Sequence, residues 1–523
     1  MTTRLWLITI LSLLSTIGFC AAAQTPEVVV VSSLPEAPIG VPPVAAPVPA
    51  RGRPLGLVTA PQNVNSQTLV TLEAASSQIR FLIPPPHLLG PTLGFIETLL
   101  TGFDGGTGGL APADIGGAVG PRDVVSALNG EYSFYTKTGT LEKSVTGGTF
   151  WCGGSLPGCP NTDVDPRIAY DFGSQRWITS ALAGGGTAAA TTWLAVSQTS
   201  DPTGAWSLYS FPSCGLTYST DSGDQPRLGV NSQWIVVKDA SCAGITKNRT
   251  ELTLHVFDKN QLYSGASLQV GVNQFEFADQ FDVDTPVVTF ARSTIKGREY
   301  LAVPNVLSNS HTQVIFSYLE GPVDAPMLYQ PTETVNLTVT GNYAVPEGFQ
   351  LGCSSPCIGS DDDARINSAS VGLASNRHAY ILVTFALGTP ATNSDTSTLV
   401  LVATDTITGA AVSHAIAATS PAVVAYPSIA LANHTNKAIV GYASFTTTNY
   451  PAAKANEWDI STNVLSTSRT FAQSTVDYTF STRWGDYSTT VPDPSSSRVI
   501  WSAQDYDPLN FFSQDSWWQE IRF

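Results

Sequence analysis

Charged side chains are scarce. They make up 13% of the 523-residue chain, against about 25% in an ordinary soluble domain. The positive ones are scarcest: 25 Lys and Arg stand against 41 Asp and Glu, a net charge of −16. Phosphate recognition needs clustered Lys and Arg, so a nucleic-acid partner is excluded. Helical periodicity is nearly missing too; residues 95–103 (FIETLLTGF) form the one short candidate helix. No glycine-rich phosphate loop and no Gly-x-Ser-x-Gly elbow occurs, which removes two common catalytic frameworks. The histidines, His87, His255, His311, His378, His414 and His434, show neither metal-ligand spacing nor a nucleophile partner, and read as loop or surface residues. Beyond residues 5–19 no apolar run is long enough to span a bilayer, so the mature chain is expected to be soluble.

What is present points to export and to β-structure. Residues 1–23 have a positive start at Arg4, a short apolar stretch and a small-residue end (AAA), the pattern of a secretory signal cleaved before Gln24. Of seven cysteines, Cys20 leaves with that leader and six remain. An even number in an exported chain suggests disulfides, with fifteen connectivities open. Local pairing is the simplest: Cys152–Cys159, Cys214–Cys242 and Cys353–Cys357. No two of these cysteines sit two residues apart and no histidine lies near them, so zinc fits poorly. Residues 24–62, rich in Pro, Ala and Val, read as a disordered tether. Residues 63–111 read as an N-terminal extension with strands at SQTLVTLE and QIRFLIP and a glycine-rich loop at FDGGTGGLAPAD.

From residue 112 onward a unit recurs, with an acidic residue opening a short strand, a turn, a strongly apolar strand and a third strand. The openings are Asp114, Asp165, Asp224, Asp284, Asp363, Pro427 and Asp486, spaced by 51, 59, 60, 79, 64 and 59 residues. Propeller blades use roughly 40–50 residues per four-stranded sheet, and longer loops stretch that figure. The chain is therefore expected to be all-β, a single seven-bladed β-propeller over 112–523. Unrelated β-sandwich domains would explain the strands but not the repeated start. The long step from 284 to 363 leaves six or eight blades as alternatives. The last segment, 483–523, has room for only three strands, so a strand from the N-terminal extension, SQTLVTLE or IRFLI, is expected to close the ring. Trp517 and Trp518 read as packing of that last blade.

Several of these segments carry a family likeness. AVGPRDVVSALNGEYSFYTKTG, DPRIAYDFGSQRWI, AVSQTSDPTGAWSLYSF and RWGDYS resemble a group of secreted bacterial β-propeller proteins, mostly of unassigned function. The likeness spans roughly Asp104 to the C-terminus and implies fold and export, without an activity. Residues 199–206 (TSDPTGAW) are also distantly similar to the Ser-x-Asp-x-Gly-x-x-Trp turn of sialidase-like propellers, with one residue inserted between Asp and Gly. That turn is structural.

In a propeller the innermost strands line a central channel and their starts face one mouth. That rim is expected to gather Asp114, Asp165, Arg167, Asp224, Arg227, Asp282, Asp284, Asp363, Arg365, Arg483 and Asp486. Converging polar groups in a concavity are the usual form of a binding site. Arg167, Arg227, Arg365 and Arg483 are the candidates to hold a carboxylate or sulfate. Asp165, Asp224 and Asp486 are the candidates for acid, base or nucleophile on a glycosidic bond. Tyr426 and Tyr487 lie at the same strand starts, suited to stacking on a sugar or donating a proton. A ring of Asp turns and Asp–Arg pairs closing the blades is the structural alternative.

The resulting expectation is a secreted protein, extracellular or periplasmic. It binds, and as an enzyme would cleave, an anionic polysaccharide as a glycoside hydrolase or lyase; the alternative is a non-catalytic extracellular binding or cell-surface module. A glycan or other extracellular ligand is the expected partner of a monomer. No cofactor is expected; Asp361, Asp362 and Asp363 offer oxygen ligands to calcium, though a solvated acidic loop accounts for them better.

Overall fold

The computed structural model describes residues 29–31 and most of 98–523. Loops at 185–189, 215–222, 241–249, 280–284, 290–296, 360–364, 390–395, 479–482 and 509–513, with some shorter ones, lie outside the described residues. The expected leader, the strands SQTLVTLE and IRFLI, and the acidic triplet at 361–363 fall outside as well.

Short β-branched and aromatic runs separated by Gly, Asn and Asp turns make antiparallel four-stranded sheets, and seven of these form the β-propeller. Blade 1 runs from Gly116–Val119 to Leu141–Thr146, blade 2 from Asp163–Asp171 to Trp206–Pro212, and blade 3 from Asp224–Val230 to Gln274–Asp279. Blade 4 runs from Thr285–Pro286 to Met327–Leu337 and blade 5 from Ser368–Leu373 to Ala411–Ala417. Blade 6 runs from Ala422–Leu431 to Arg469–Gln473 and blade 7 from Thr489–Pro492 to Asp515–Arg522. Val288–Thr289 pairs in parallel with Val230 and with Ser370 and Val371, drawing blades 3 and 5 together at the axis. Most inner and middle strands are buried on both faces, so tryptophans fill the space between blades; Trp151, Trp177, Trp193, Trp206, Trp234, Trp458, Trp501 and Trp518 are fully buried.

Blade 7 supplies only three strands of its own, as expected, and an N-terminal strand completes it. The closing strand is Thr98–Thr107, paired antiparallel with Asp515–Arg522 so that Phe103 faces Trp518. This corrects two expectations. The closing segment lies later than SQTLVTLE or IRFLI, and the candidate helix at 95–103 is largely this strand. Leu99, Leu100 and Phe103 have helical spacing, but Phe103 is needed as a strand residue against Tyr135 and Trp501, with ring centroids 5.0 and 6.2 Å away. Gly102, from the expected helix, and Gly105, from the expected loop, sit at bulges instead. A Cβ on Gly102 would lie 2.8 Å from Trp517 Cζ2, and one on Gly105 would lie 2.3 Å from Trp518 Cδ1. Register shifts fall at both places, because only glycine lets the strand pass the two indoles.

The Pro/Ala/Val-rich segment contributes one element. Val29–Val31 pairs with Trp206–Pro212 on the outer edge of blade 2, so at least these residues are not tether; the rest of 24–62 lies outside the described residues. Two of the expected disulfides are formed, Cys152–Cys159 and Cys353–Cys357. Cys214 is disulfide-bonded, while Cys242, its expected partner, lies outside the described residues. Among the described residues no helix is long and apolar enough to cross a membrane.

His255 departs from the surface reading of the histidines. It is buried beside Phe211, donates from Nε2 to the Ser213 carbonyl at 3.2 Å, and sits 3.6 Å from Asp239. Burial pushes its pKa down to about 4, so it is neutral core at ordinary pH.

Candidate functional site

The inner strands begin with an unusual backbone. Asp114, Asp165, Gln225 and Tyr426, at the starts of blades 1, 2, 3 and 6, all have positive φ, between 49° and 54°. Each such residue costs about 1–2 kcal/mol in a non-glycine side chain. In three of them a proline follows, Pro166, Pro226 and Pro427, and the ladder slips one register between Val164 and Arg167, Asp224 and Arg227, and Ala425 and Ser428. Proline has no N–H to lose at a bulge. The recurring unit is therefore a bulge at the channel mouth. In blade 3 the left-handed residue is Gln225, one place after Asp224; Asp224 itself is only half-buried.

These bulges set side chains from distant segments against one another. Asp114 accepts from Asn129 Nδ2 at 2.7 Å and from the Asp486 N–H at 2.8 Å. Asn129 in turn accepts from the Asp165 N–H at 2.8 Å. Arg483 Nη2 donates to both oxygens of Asp486 at 2.7 Å. Gln225 Nε2 reaches Asp486 Oδ2 at 3.4 Å, and Arg365 Nη1 donates to Gln225 Oε1 at 2.5 Å. A continuous chain of bonds thus joins blades 5, 3, 7, 1 and 2. Within it one oxygen each of Asp114, Asp165 and Asp486 lies within 4.8 Å of the others.

The electrostatics follow from burial. Asp114 is pushed up to about 7, by loss of water and then by Asp486. Burial raises Asp165 well above the usual carboxylate range, and the charges of Asp224, Asp114 and Asp486 add to it. Asp505, from the middle strand Val499–Tyr506 of blade 7, is also buried and raised for the same reasons, with Asp114 and Asp486 as its charged neighbours.

Beside the carboxylates stands a cationic pair. The Arg167 guanidinium lies 3.3 Å from the centre of the Tyr487 ring and that of Arg227 lies 4.9 Å from it. Arg227 Nη1 donates to the carbonyls of Ile366 and Asn367 at 3.2 and 3.3 Å. The Nε and Nη2 of Arg167 are buried and have no hydrogen-bond partner among the described residues. Burial, and then the charge of Arg227, lower the Arg167 pKa to about 10. The channel next to these guanidiniums holds a cavity of about 90 Å³, lined also by Ser368, Ser370, Ser488 and Thr490. That is room for a few waters or one small polar group.

The structure therefore brings Asp165, Asp486, Arg167, Arg227, Arg365 and Arg483 to one mouth, with Asp224 at its edge. Tyr426 is buried in the packing between blades, away from solvent. Asp282, Asp284 and Asp363 lie outside the described residues. Two participants escaped sequence reasoning. Asn129 sits in an Asn-Gly hairpin, where its turn role hides its second one. Asp505 left a signal, an aspartate inside the apolar strand VIWSAQDY. The turn at 199–206 is structural as expected: Asp201 Oδ1 accepts from the Thr203 N–H at 2.9 Å, and the Trp206 indole donates to the Pro202 carbonyl at 2.9 Å.

No protein-family model matches the chain, and no curated protein matches its sequence. Among solved structures it is similar to the Hadza microbial sialidase Hz136, with 9% identity over 77% of this chain and 73% of that one, at a TM-score of 0.38. It is similar to the β-propeller domain of the Trilobed protease from Pyrococcus furiosus, with 9% identity over 78% and 97%, at 0.36. It is also similar to an α-L-arabinanase of Penicillium chrysogenum, with 10% identity over 70% and 100%, at 0.37. None of these likenesses is close enough to carry an activity to this chain.

Proposed function

We propose that this protein is an exported β-propeller that binds an anionic glycan at the channel mouth and does not cleave it. The observation that carries this reading is the Arg167–Arg227 pair on one tyrosine ring, with two buried donors of Arg167 unspent. Two like charges held together with donors to spare are completed by a carboxylate or sulfate, which a guanidinium binds through paired hydrogen bonds. The adjoining cavity of about 90 Å³ suits such a group. The two disulfides support an oxidising compartment.

Cleavage is disfavoured by the carboxylates. Glycosidase pairs stand about 5–5.5 Å or about 6.5–9.5 Å apart across the scissile bond. Oxygens of Asp165 and Asp486 lie within 4.8 Å of each other and both residues are buried, so no glycosidic bond fits between them.

The test is binding to polygalacturonate, a sulfated glycan and neutral arabinan, with reducing ends followed in parallel. Charged polymers should bind, arabinan should not, and Arg167→Gln should weaken binding about tenfold or more, the worth of a charged hydrogen bond. Equal binding to arabinan, or indifference to Arg167→Gln, would refute the reading. Release of reducing ends would overturn its non-catalytic half.

A further inference from the structure

We propose that the protein holds one divalent metal ion, calcium by its donor set, between Asp114, Asp165 and Asp486, where blades 1, 2 and 7 meet. One oxygen from each carboxylate lies within 4.8 Å of the other two. Three protein carboxylates on one ion suit calcium, which takes many oxygen ligands from the protein, better than magnesium, which keeps several waters and takes one or two carboxylates. The donors are all carboxylate oxygens, the set that hard cations take and thiolate-seeking metals do not.

An acidic cluster alone would not require an ion. The second observation is Asp505, which lies outside that trio. It is 2% exposed, and its Oδ1 has no hydrogen-bond partner among the described residues. Its carboxylate faces the trio across Gly485: a Cβ there would lie 2.9 Å from Asp505 Oδ2 and 3.8 Å from Asp114 Oδ1. A buried carboxylate oxygen without a donor is costly, and this one belongs to a side chain whose charged neighbours are Asp114 and Asp486. No hydrogen bond reaches the Asp165 carboxylate among the described residues either, whereas Asp114 and Asp486 accept from N–H donors.

Four carboxylates converge, and Arg483 answers one of them, Asp486. The ion would tie the last blade to the first two, so it acts as a second lock on the seam that the strand Thr98–Thr107 closes. This inference is independent of the glycan reading, since none of its ligands is an arginine of that site.

The experiment strips the full chain with a chelator and adds calcium or magnesium, reading stoichiometry by calorimetry and Tm by scanning. One calcium per chain and a Tm rise of several degrees are expected, with magnesium at least tenfold weaker. Asp165→Asn should abolish the calcium dependence of Tm without lowering the metal-free Tm, because it removes a repelling charge. Asp505→Asn, which keeps shape and removes only charge, should weaken calcium about tenfold and serves if the first variant does not fold. No bound calcium and an unchanged Tm would overturn the proposal, as would calcium binding that survives both substitutions. A preference for magnesium would overturn the identity of the ion. Glycan binding plays no part in these readouts, so either proposal can fail alone.

Discussion

A chain that begins at Gly108 is expected to yield no cooperative unfolding transition. Without Thr98–Thr107, the outer edge of Asp515–Arg522 has no partner, and an unpaired edge in a propeller is both a lost sheet and an aggregation surface. Phe103 leaves with it, although it belongs to the same buried cluster as Trp501, Trp518 and the aromatic residues of blade 1. The milder version is Phe103→Ala, expected to cost about 3–5 kcal/mol, the usual range for a buried Phe. Gly105→Ala should also destabilise, because the added methyl would sit 2.3 Å from Trp518 Cδ1. Denaturant unfolding of the three proteins reads all of this. Unchanged stability in the truncated chain would show that closure does not depend on this strand.

Asp163→Asn should stabilise the protein, and the gain should grow with pH. Asp163 is fully buried where blade 2 begins; Oδ2 accepts from the Trp151 indole at 3.3 Å, while Oδ1 has no partner among the described residues. Burial raises its pKa from 3.8 to about 7. The folded state therefore prefers the proton more than the unfolded state does. Its favourable contribution is complete below about 3.8 and is lost as pH rises to about 7. A displacement of that size corresponds to about 4 kcal/mol at pH 8. Wild type and the Asn variant should coincide near pH 3.5 and differ by several kcal/mol at pH 8. Other buried carboxylates, such as Asp239, shift in the same direction but cancel in the comparison. A difference that did not change with pH would mean that the carboxylate is held ionised.

Much of the architecture was legible in the chain. The repeated opening at Asp114 and Asp165 coincides with inner-strand starts, whereas Pro427 falls inside Ala422–Leu431 at its bulge, and the short last segment announced that a strand must come from elsewhere. Which strand was not legible. Residues 95–107 carry helical spacing and glycines, two signals against a strand, and only Trp517 and Trp518 on the neighbouring strand explain why glycine is required there. The offset in blade 3 had a similar cause. The strand opens at Asp224 as expected, but the left-handed residue of its bulge is Gln225, one place later and before Pro226.

The sequence by itself determined an all-β repeat with cysteines poised for local disulfides, because turn chemistry, strand composition and spacing are local properties. It also determined that carboxylates and guanidiniums recur at strand starts. Which of them touch was decided only by the closed ring. Asp114 and Asp486 are 372 residues apart in sequence and share a hydrogen bond of 2.8 Å, and Arg167 meets the Tyr487 ring across the channel mouth. Burial has the same origin. Asp505 is an ordinary aspartate in a strand until seven blades close around it, remove its water and leave it facing other carboxylates, and no local pattern carries that information.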